Sequence, residues 1–578
     1  MTPMATAAHY VTLAGAFTFW VALDRHLWFF GDEWDFLVQR GLAYAPASHH
    51  SIWFPHNEHW STLPILLWRV LFNLWHLGTY WPYLLPVLFA HVAIMHLLWR
   101  ICRRSGADPW ISVATVGALG FLGAGAEDLA WAFQIGFVGA VFFGLLAIEL
   151  LDTAPLGTRR QVLCIGCLIA SLMCSTVGDA MVVGTASLAF ATLPRRRALA
   201  VVVPPVAVYV AWFAVVGRLG LAEHSDRFTL ATFTNIPGYL WSGLSSALGQ
   251  SFNLQGAGAA VLVGLAAWTG WHARSLMAER STPLALVVAV IAFYVLAALG
   301  RDASTVSPAV SRYIYIAFAL LVPLVAKLLT SLATWPAARW GAVVLLGFTA
   351  LGNVSQAQDW VAARRDLTTE VKVQLAATGE LLESGAKDVS GPGAAPVAFS
   401  PNLSVGTILR LATAHRLPRL DLTSLDLINA RAVLAVGDWD GLQMTLSHKP
   451  LSSGHFDLKG VLFGSVRNIG NGCTTFTPLT PARPLQVWLS IPTGERSASV
   501  LLSAPPTSPG NVNYAGALLV PPRPPSSSVP VEVAVPADGS GYLNDNYGGA
   551  ELVVTWPQAT VLTACDLVPR QAVLRHPA

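Results

Sequence analysis

The stretch AAHYVTLAGAFTFWVALDRHLWFFGDEWDF, Ala7 to Phe36, joins an apolar run without a charged residue up to Leu23 directly to the acids Asp32, Glu33 and Asp35. The apolar part falls within the ~17–25 residues that a helix needs to cross a bilayer. No basic segment and no small-residue cleavage motif accompany it, so it is expected to remain as a permanent helix. Ten further apolar windows follow, at about 80–101, 108–125, 130–151, 161–177, 180–194, 198–217, 256–273, 283–300, 312–331 and 338–355. The composition agrees: the 578 residues are 54% hydrophobic and 12% charged, with a mean hydropathy of +0.54. That balance is far from the one of a water-soluble domain. The sequence predicts a polytopic α-helical membrane protein of about 11 spans.

Arginine and lysine place the loops. Arg100, Arg103, Arg104, Arg159, Arg160, Arg195 to Arg197, Arg274, Arg280, Lys327 and Arg339 all fall in short loops on one side, which is therefore cytoplasmic. The long segments 24–79, 218–255 and 301–311 lie on the other side, and an odd number of spans puts the C-terminal part there too. A net charge of +3 with no basic stripe excludes a nucleic-acid partner and leaves membrane lipids, sugars and peptides.

Beyond residue 355 the pattern changes. Residues 356–384 read as an amphipathic helix, followed by the Gly/Pro/Ala linker GAKDVSGPGAAP, so that 356–395 connects a transmembrane part, 1–355, to an extracytoplasmic domain, 396–578. The latter mixes helix-like and strand-like runs up to 447. From about 484 onward short strands such as LQVWLSI and ELVVTW alternate with turn residues, the signature of a β-sandwich. Cys473 and Cys565 in this domain are a disulfide pair if it lies outside the cytoplasm. Cys164 and Cys167, inside an apolar helix, read as packing residues.

Residues 31–61 form the start of the first external loop and concentrate four carboxylates and four histidines. Asp32 and Glu33 open it; the plain alternative to a function is a solvated pair, or one neutralised by Arg25 or Arg40. PHNEHW adds His56, Glu58, His59 and Trp60. As a helix, it would put His56 and His59 on one face, able to bind a metal, hydrogen-bond a phosphate, or simply pack. A second acidic pair, Glu127 and Asp128, lies in GAGAEDLAWAFQIGF with Trp131 and Gln134; the alternative there is a helix N-terminus that favours acids. Asp179 is a weaker case of the same kind. Cations for an anionic ligand are Arg218, Arg227, Arg301 and Arg312, the last beside Tyr313 at the outer end of a late span, with His224 weaker still. Each arginine could equally snorkel to ordinary headgroups.

The order of these features resembles the GT-C class of integral-membrane glycosyltransferases, such as protein O-mannosyltransferases, aminoarabinose transferases and mycobacterial arabinofuranosyltransferases. The resemblance covers residues 1 to about 355: many spans, the acidic pair Gly31-Asp32-Glu33-Trp34, a second acidic turn and the late Arg312-Tyr313. It implies transfer of a sugar, with inversion, from a polyprenyl-phosphate donor to a hydroxyl of a cell-envelope glycan, lipid or protein at the outer face of the cytoplasmic membrane. Asp32 would be the general base and Glu33 its neighbour. His56, Glu58, His59, Trp60, Glu127, Asp128, Gln134, Arg227, Arg301, Arg312 and Tyr313 would contact substrate. A divalent metal, Mg or Mn, is a candidate cofactor, with Asp32, Glu58, His56 and His59 as candidate ligands. The resemblance suits an actinobacterial envelope enzyme whose C-terminal domain binds carbohydrate. A lipid-linked-glycan flippase and a noncatalytic envelope scaffold are the alternatives.

Overall fold

The computed structural model describes residues 3–40, 52–153, 156–219, 230–279, 281–300, 306–385, 403–422, 426–427, 430, 444–447, 454–462, 464–479, 485–490, 498–503, 513–520, 530–535, 540–545, 551–556 and 561–568. The chain divides into two compact units, one ending at Thr369 and one beginning at Glu370.

The first unit is helical. In chain order it contains α1 (Pro3–Asp24), α2 (Glu33–Gln39), α3 (Thr62–Trp75), α4 (Trp81–Arg104), α5 (Pro109–Gly120), α6 (Ala126–Ala130), α7 (Ile135–Asp152), α8 (Thr158–Leu172), α9 (Val177–Thr192), α10 (Arg195–Val215), α11 (Leu230–Ser251), α12 (Gly258–Glu279), α13 (Thr282–Gly300), α14 (Ser311–Leu332) and the part of α15 (Pro336–Glu383) up to Thr369, the rest of α15 belonging to the second unit. Each apolar window of the sequence overlaps one of these helices, although those at 108–125, 130–151 and 161–177 run past helix ends. Among the described residues, seven helices are long and apolar enough to cross a membrane unaided, and a pair bent by 45°, α5 with Gly123–Ala130, makes an eighth. The structure adds helices in two segments that read as external loops, the 14-residue α3 and the 22-residue α11. No Pro lies between 337 and 383, and α15 accordingly runs unbroken for 48 residues, through the position where the span ends and the amphipathic helix begins.

Local chemistry sets the ends. Asp108 caps α5, its carboxylate accepting from the N–H groups of Trp110 and Ile111, with Pro109 at the first helical position. α14 is the axis of the unit: it packs against α4, α5, α11 and α13, and every residue from Tyr313 to Ala326 is buried. A helix apolar on all sides belongs in such a place. Within this buried stretch the Tyr315 hydroxyl meets His91 Nδ1 at 2.9 Å. Next to it, α5 breaks into a short 3-10 turn at Gly123–Gly125 before α6. Gly123 is required there: a Cβ would lie 1.9 Å from the Asn353 carbonyl oxygen of α15.

In the second unit, α16 (Val405–Thr413) precedes β1 (Met444–Ser447), β2 (Phe456–Leu462), β3 (Gly464–Gly470), β4 (Cys473–Pro478), β5 (Leu485–Ser490), β6 (Ala498–Ser503), β7 (Asn513–Val520), β8 (Pro530–Val535), β9 (Ser540–Asp545), β10 (Glu551–Trp556), β11 (Leu562–Cys565) and β12 (Leu567–Val568). They form two six-stranded sheets, β1-β9-β6-β11-β4-β3 and β12-β2-β5-β10-β7-β8, antiparallel except where β12 joins β2. Alternate residues turn inward, with Phe456 and Leu458, Leu485, Val487 and Leu489, and Val500 and Leu502 buried between the sheets. The strands thus start well before 484; β2 to β4 carry Gly, Asn and Thr in place of a clear apolar alternation. Cys473 and Cys565 face each other in the β4–β11 ladder and are disulfide-bonded.

Gly123→Ala is expected to lower the thermal unfolding midpoint of the detergent-solubilised protein, because overpacking against backbone costs about 1–3 kcal/mol. Gly264→Ala on α12, where a Cβ meets nothing within 4 Å, is the control and should leave the midpoint unchanged or raise it. Equal midpoints for the two variants would contradict the close approach of α5 and α15.

Candidate active site

The loop after α1 turns at Gly31, whose φ of +59° suits glycine, and whose missing side chain lets the Trp131 ring approach to 3.1 Å from where a Cβ would stand. Asp32 follows at the N-terminus of α2, half-buried, and Glu33 begins the helix. The two acids have different surroundings. Glu33 is fully buried and its carboxylate accepts from the Phe30 N–H at 2.9 Å, the Tyr80 hydroxyl at 2.6 Å and the Phe133 N–H at 3.2 Å. Tyr80 in turn accepts from the Ala132 N–H at 2.9 Å. Phe30 stacks on Trp131 with centroids 5.2 Å apart, and the Trp131 indole N–H donates to the Phe30 carbonyl. Loop, α4 entrance and the turn 131–133 are therefore fastened through one carboxyl group. Burial pushes Glu33 up to about 8, against the opposite pull of its three donors, and the same burial raises Tyr80 well above the ordinary tyrosine value.

The residues of the second acidic turn gather at Arg312, which also lies within the electrostatic reach of Asp32. Glu127, at the start of α6, donates its backbone N–H to Ser311 Oγ at 3.2 Å, and its carboxylate accepts from Arg312 Nη1 at 2.9 Å. Asp128 is fully buried beside it, and neither of its oxygens has a hydrogen-bond partner among the described residues. Arg312 experiences the charges of Glu127, Asp128 and Asp32 together. The structure thus brings Glu127, Asp128 and Arg312 together at the N-terminal end of α14, within electrostatic reach of Asp32. Tyr313 is not beside them in the open: it is buried, edge-on to Phe293 at 5.1 Å, and it supports Arg312 from below with the guanidinium 5.9 Å from its ring.

PHNEHW is a tight turn and not a helix. His56 and His59 exchange both backbone hydrogen bonds at 2.9 Å, and Asn57, with φ of 51°, makes the first corner. His56 is a core residue, edge-on to Phe36 at 4.8 Å and Phe133 at 5.3 Å; burial, then the Arg40 charge, then His59 push it down to about 3, so it is neutral. His59 meets Thr176 Oγ1 through Nδ1 at 2.9 Å, while Glu58 approaches only its other nitrogen, at 4.0 Å. Trp60 stacks on Trp212 at 4.8 Å and donates to Thr62. Arg40, fully enclosed, grips the carbonyls of Phe54 and Pro55. The arm is thereby part of the packing. The candidate metal ligands Asp32, Glu58, His56 and His59 do not assemble: among the described residues no group of three His, Cys, Asp or Glu side chains is arranged to hold an ion.

Gln134 is buried where α7 begins, and Asp179 accepts from Tyr209. Arg218 is exposed, and Arg227, Arg301 and His224 lie outside the described residues. Three residues at the site had not been singled out. Tyr80 carries no signal in the sequence. Trp360 and Arg364 carry one, an aromatic and a cation at helical i, i+4 spacing. On α15, Trp360 reaches Phe30 at 6.5 Å, and the Arg364 guanidinium lies 4.0 Å over the Trp360 ring. Below the site, an apolar cavity of about 210 Å3 between α11, α12, α14 and α15 is lined by Leu248, Phe252, Leu265, Val325, Leu346 and Thr349. Phe252 on its wall touches Phe318, which is about 9 Å along α14 from Arg312 at 1.5 Å per residue.

The raised value of Glu33 implies a sign. The neutral form is favoured in the folded state, so its contribution to stability is complete below the ordinary carboxyl value of 4.5 and is lost as pH rises through about 8. The purified protein should unfold at a higher temperature at pH 5 than at pH 8, by at most about 1.4 kcal/mol per pH unit from this group. Glu33→Gln should flatten that slope, and Glu33→Ala should destabilise at every pH by leaving buried donors unpaired, about 1–3 kcal/mol each. A pH slope identical in wild type and Glu33→Gln would show that Glu33 does not carry it.

No protein-family model and no curated protein sequence matches the chain. Among solved structures it is similar to ArnT from Cupriavidus metallidurans bound to undecaprenyl phosphate, with 15% identity, a TM-score of 0.43, and coverage of 76% of this chain and 92% of that one. It is also similar to the Archaeoglobus fulgidus oligosaccharyltransferase tethered to an acceptor peptide through a disulfide, with 12% identity, a TM-score of 0.36, and coverage of 78% and 72% respectively.

Proposed function

We propose that this chain is a GT-C-like membrane glycosyltransferase that moves a sugar, a hexose such as mannose or a pentose such as arabinofuranose, from a polyprenyl-phosphate donor to a hydroxyl of an envelope glycan, lipid or protein. The observation that carries the reading is the meeting of Arg312 with the acidic turn at the N-terminal end of the central helix, within electrostatic reach of Asp32. Transfer of this kind needs a base for the acceptor proton and a cation for the departing phosphate, held a sugar's width apart.

In the proposed step the acceptor oxygen bonds to the anomeric carbon from the face opposite the phosphate as the carbon–phosphate oxygen bond breaks. The hydroxyl proton passes to Asp32, and the bonding pair leaves with the phosphate, whose growing charge Arg312 meets. Glu33 is a positioning residue, because its oxygens are taken by protein donors and it fixes the next residue along the chain. Glu127 holds Arg312 in place. The apolar cavity below is of the right character for the isoprenoid chain of the donor. The reading places the catalytic part in residues 1–355, the reaction at the outer face of the cytoplasmic membrane of an actinobacterium, and residues 396–578 outside as a carbohydrate-binding domain joined through 356–395.

Membranes containing Asp32→Asn, at matched expression, are expected to transfer radiolabelled sugar from polyprenyl-phosphate sugars at least about 100-fold more slowly than wild type. Arg312→Gln should lose transfer as well. Equal transfer by wild type and Asp32→Asn would remove Asp32 as the base, and the absence of transfer by wild type from every donor tried would favour a flippase or a scaffold.

A further inference from the structure

We infer that Arg364, on the part of α15 that passes the outer end of the bundle, is a second phosphate-binding guanidinium of the site and sets its preference for a phosphorylated isoprenoid lipid. The inference rests on the function proposed above and assigns a residue that reading does not use.

Three observations point to it. The first is placement. Asn353 accepts from the Ala124 N–H at 3.1 Å and donates to the Ser251 carbonyl at 2.9 Å, and Gln356 donates to Asn253 at 2.5 Å. Together with the absent side chain of Gly123, these bonds hold α15 against the acidic turn, so the residues one and two turns further on have a fixed position over the site. The second is electrostatic. The charge of Glu127 acts on Arg364 as well as on Arg312, so two guanidinium groups on different helices lie within electrostatic range of the same carboxylate. The third is availability. Arg312 has already given Nη1 to Glu127. Arg364 is half-buried, has its guanidinium carbon 4.0 Å from the centre of the Trp360 ring, and makes no hydrogen bond or ion pair among the described residues.

Stacking covers the face of a guanidinium and leaves its edge, with five N–H donors in a planar fork, for a ligand. That fork matches two oxygens of a phosphate. Trp360 is itself braced against Phe30, which stacks on Trp131, so the arm is preorganised by the same aromatic row that holds the first loop. A lysine in this place would keep the charge but lose both the stacking plane and the two-point grip.

The test measures binding to the purified full-length protein in detergent, using a polyprenyl monophosphate, the polyprenol of equal chain length and phosphatidylglycerol. Wild type should prefer the polyprenyl phosphate. Arg364→Gln should weaken that binding by about tenfold while leaving polyprenol binding and the unfolding midpoint unchanged, and Arg364→Lys should recover part of the loss. In transfer assays Arg364→Gln should raise KM for the donor more than it lowers kcat, which a merely structural role would not do. Unchanged binding in Arg364→Gln alongside loss in Arg312→Gln would overturn the inference and leave the proposed function standing. Equal competition by phosphatidylglycerol would overturn it in favour of an ordinary headgroup contact. A wild type that does not distinguish polyprenyl phosphate from polyprenol would sink both.

Discussion

A carboxyl group enclosed at the edge of a helical bundle is an expensive thing to bury, and the arrangement of the outer end follows from how Glu33 is accommodated. Three donors reach it, from the loop before α2, from the residue that precedes α4 and from the turn ahead of α7. None of these segments is close to another in sequence; each is placed by meeting the other two at one acid. The neighbouring acid, Asp32, is positioned through the chain itself, since it directly precedes the anchor. Two adjacent carboxylates with opposite environments can do different work, one holding and one reacting.

The interrupted course of α5 serves the same end from the other side. After the short 3-10 turn and the 45° bend, Glu127 meets Ser311 and Arg312 at the start of α14. Breaking a helix inside an apolar bundle releases backbone groups, and the side chain of Asn353 receives one of them, the Ala124 N–H. The acidic turn and the last long helix are thus mutually dependent.

Much of this was legible in the sequence. The apolar windows announce their helices, and the acids, the late Arg312 and the cysteine pair stand out by residue type alone. What stayed hidden has physical causes. Six residues such as PHNEHW are too few for periodicity to separate a helix from a hairpin, and the deciding feature, a positive φ at Asn57, is available to asparagine in either reading. The different roles of Asp32 and Glu33 depend on Tyr80 and Phe133, partners 47 and 100 residues away from Glu33. Sequence spacing carries no trace of such contacts. The course of α15 could have been read from its lack of Pro, whereas a change from apolar to amphipathic pattern suggests an end that the backbone does not make.

The burial of α14 on every side has a consequence for biogenesis. This helix is synthesised after α4, α5, α11 and α13, all of which pack against it. Until it emerges from the ribosome the acidic turn has no Arg312 to meet, and because Ala124 also bonds Asn353 of α15, the site is complete only after both of these late helices have been made.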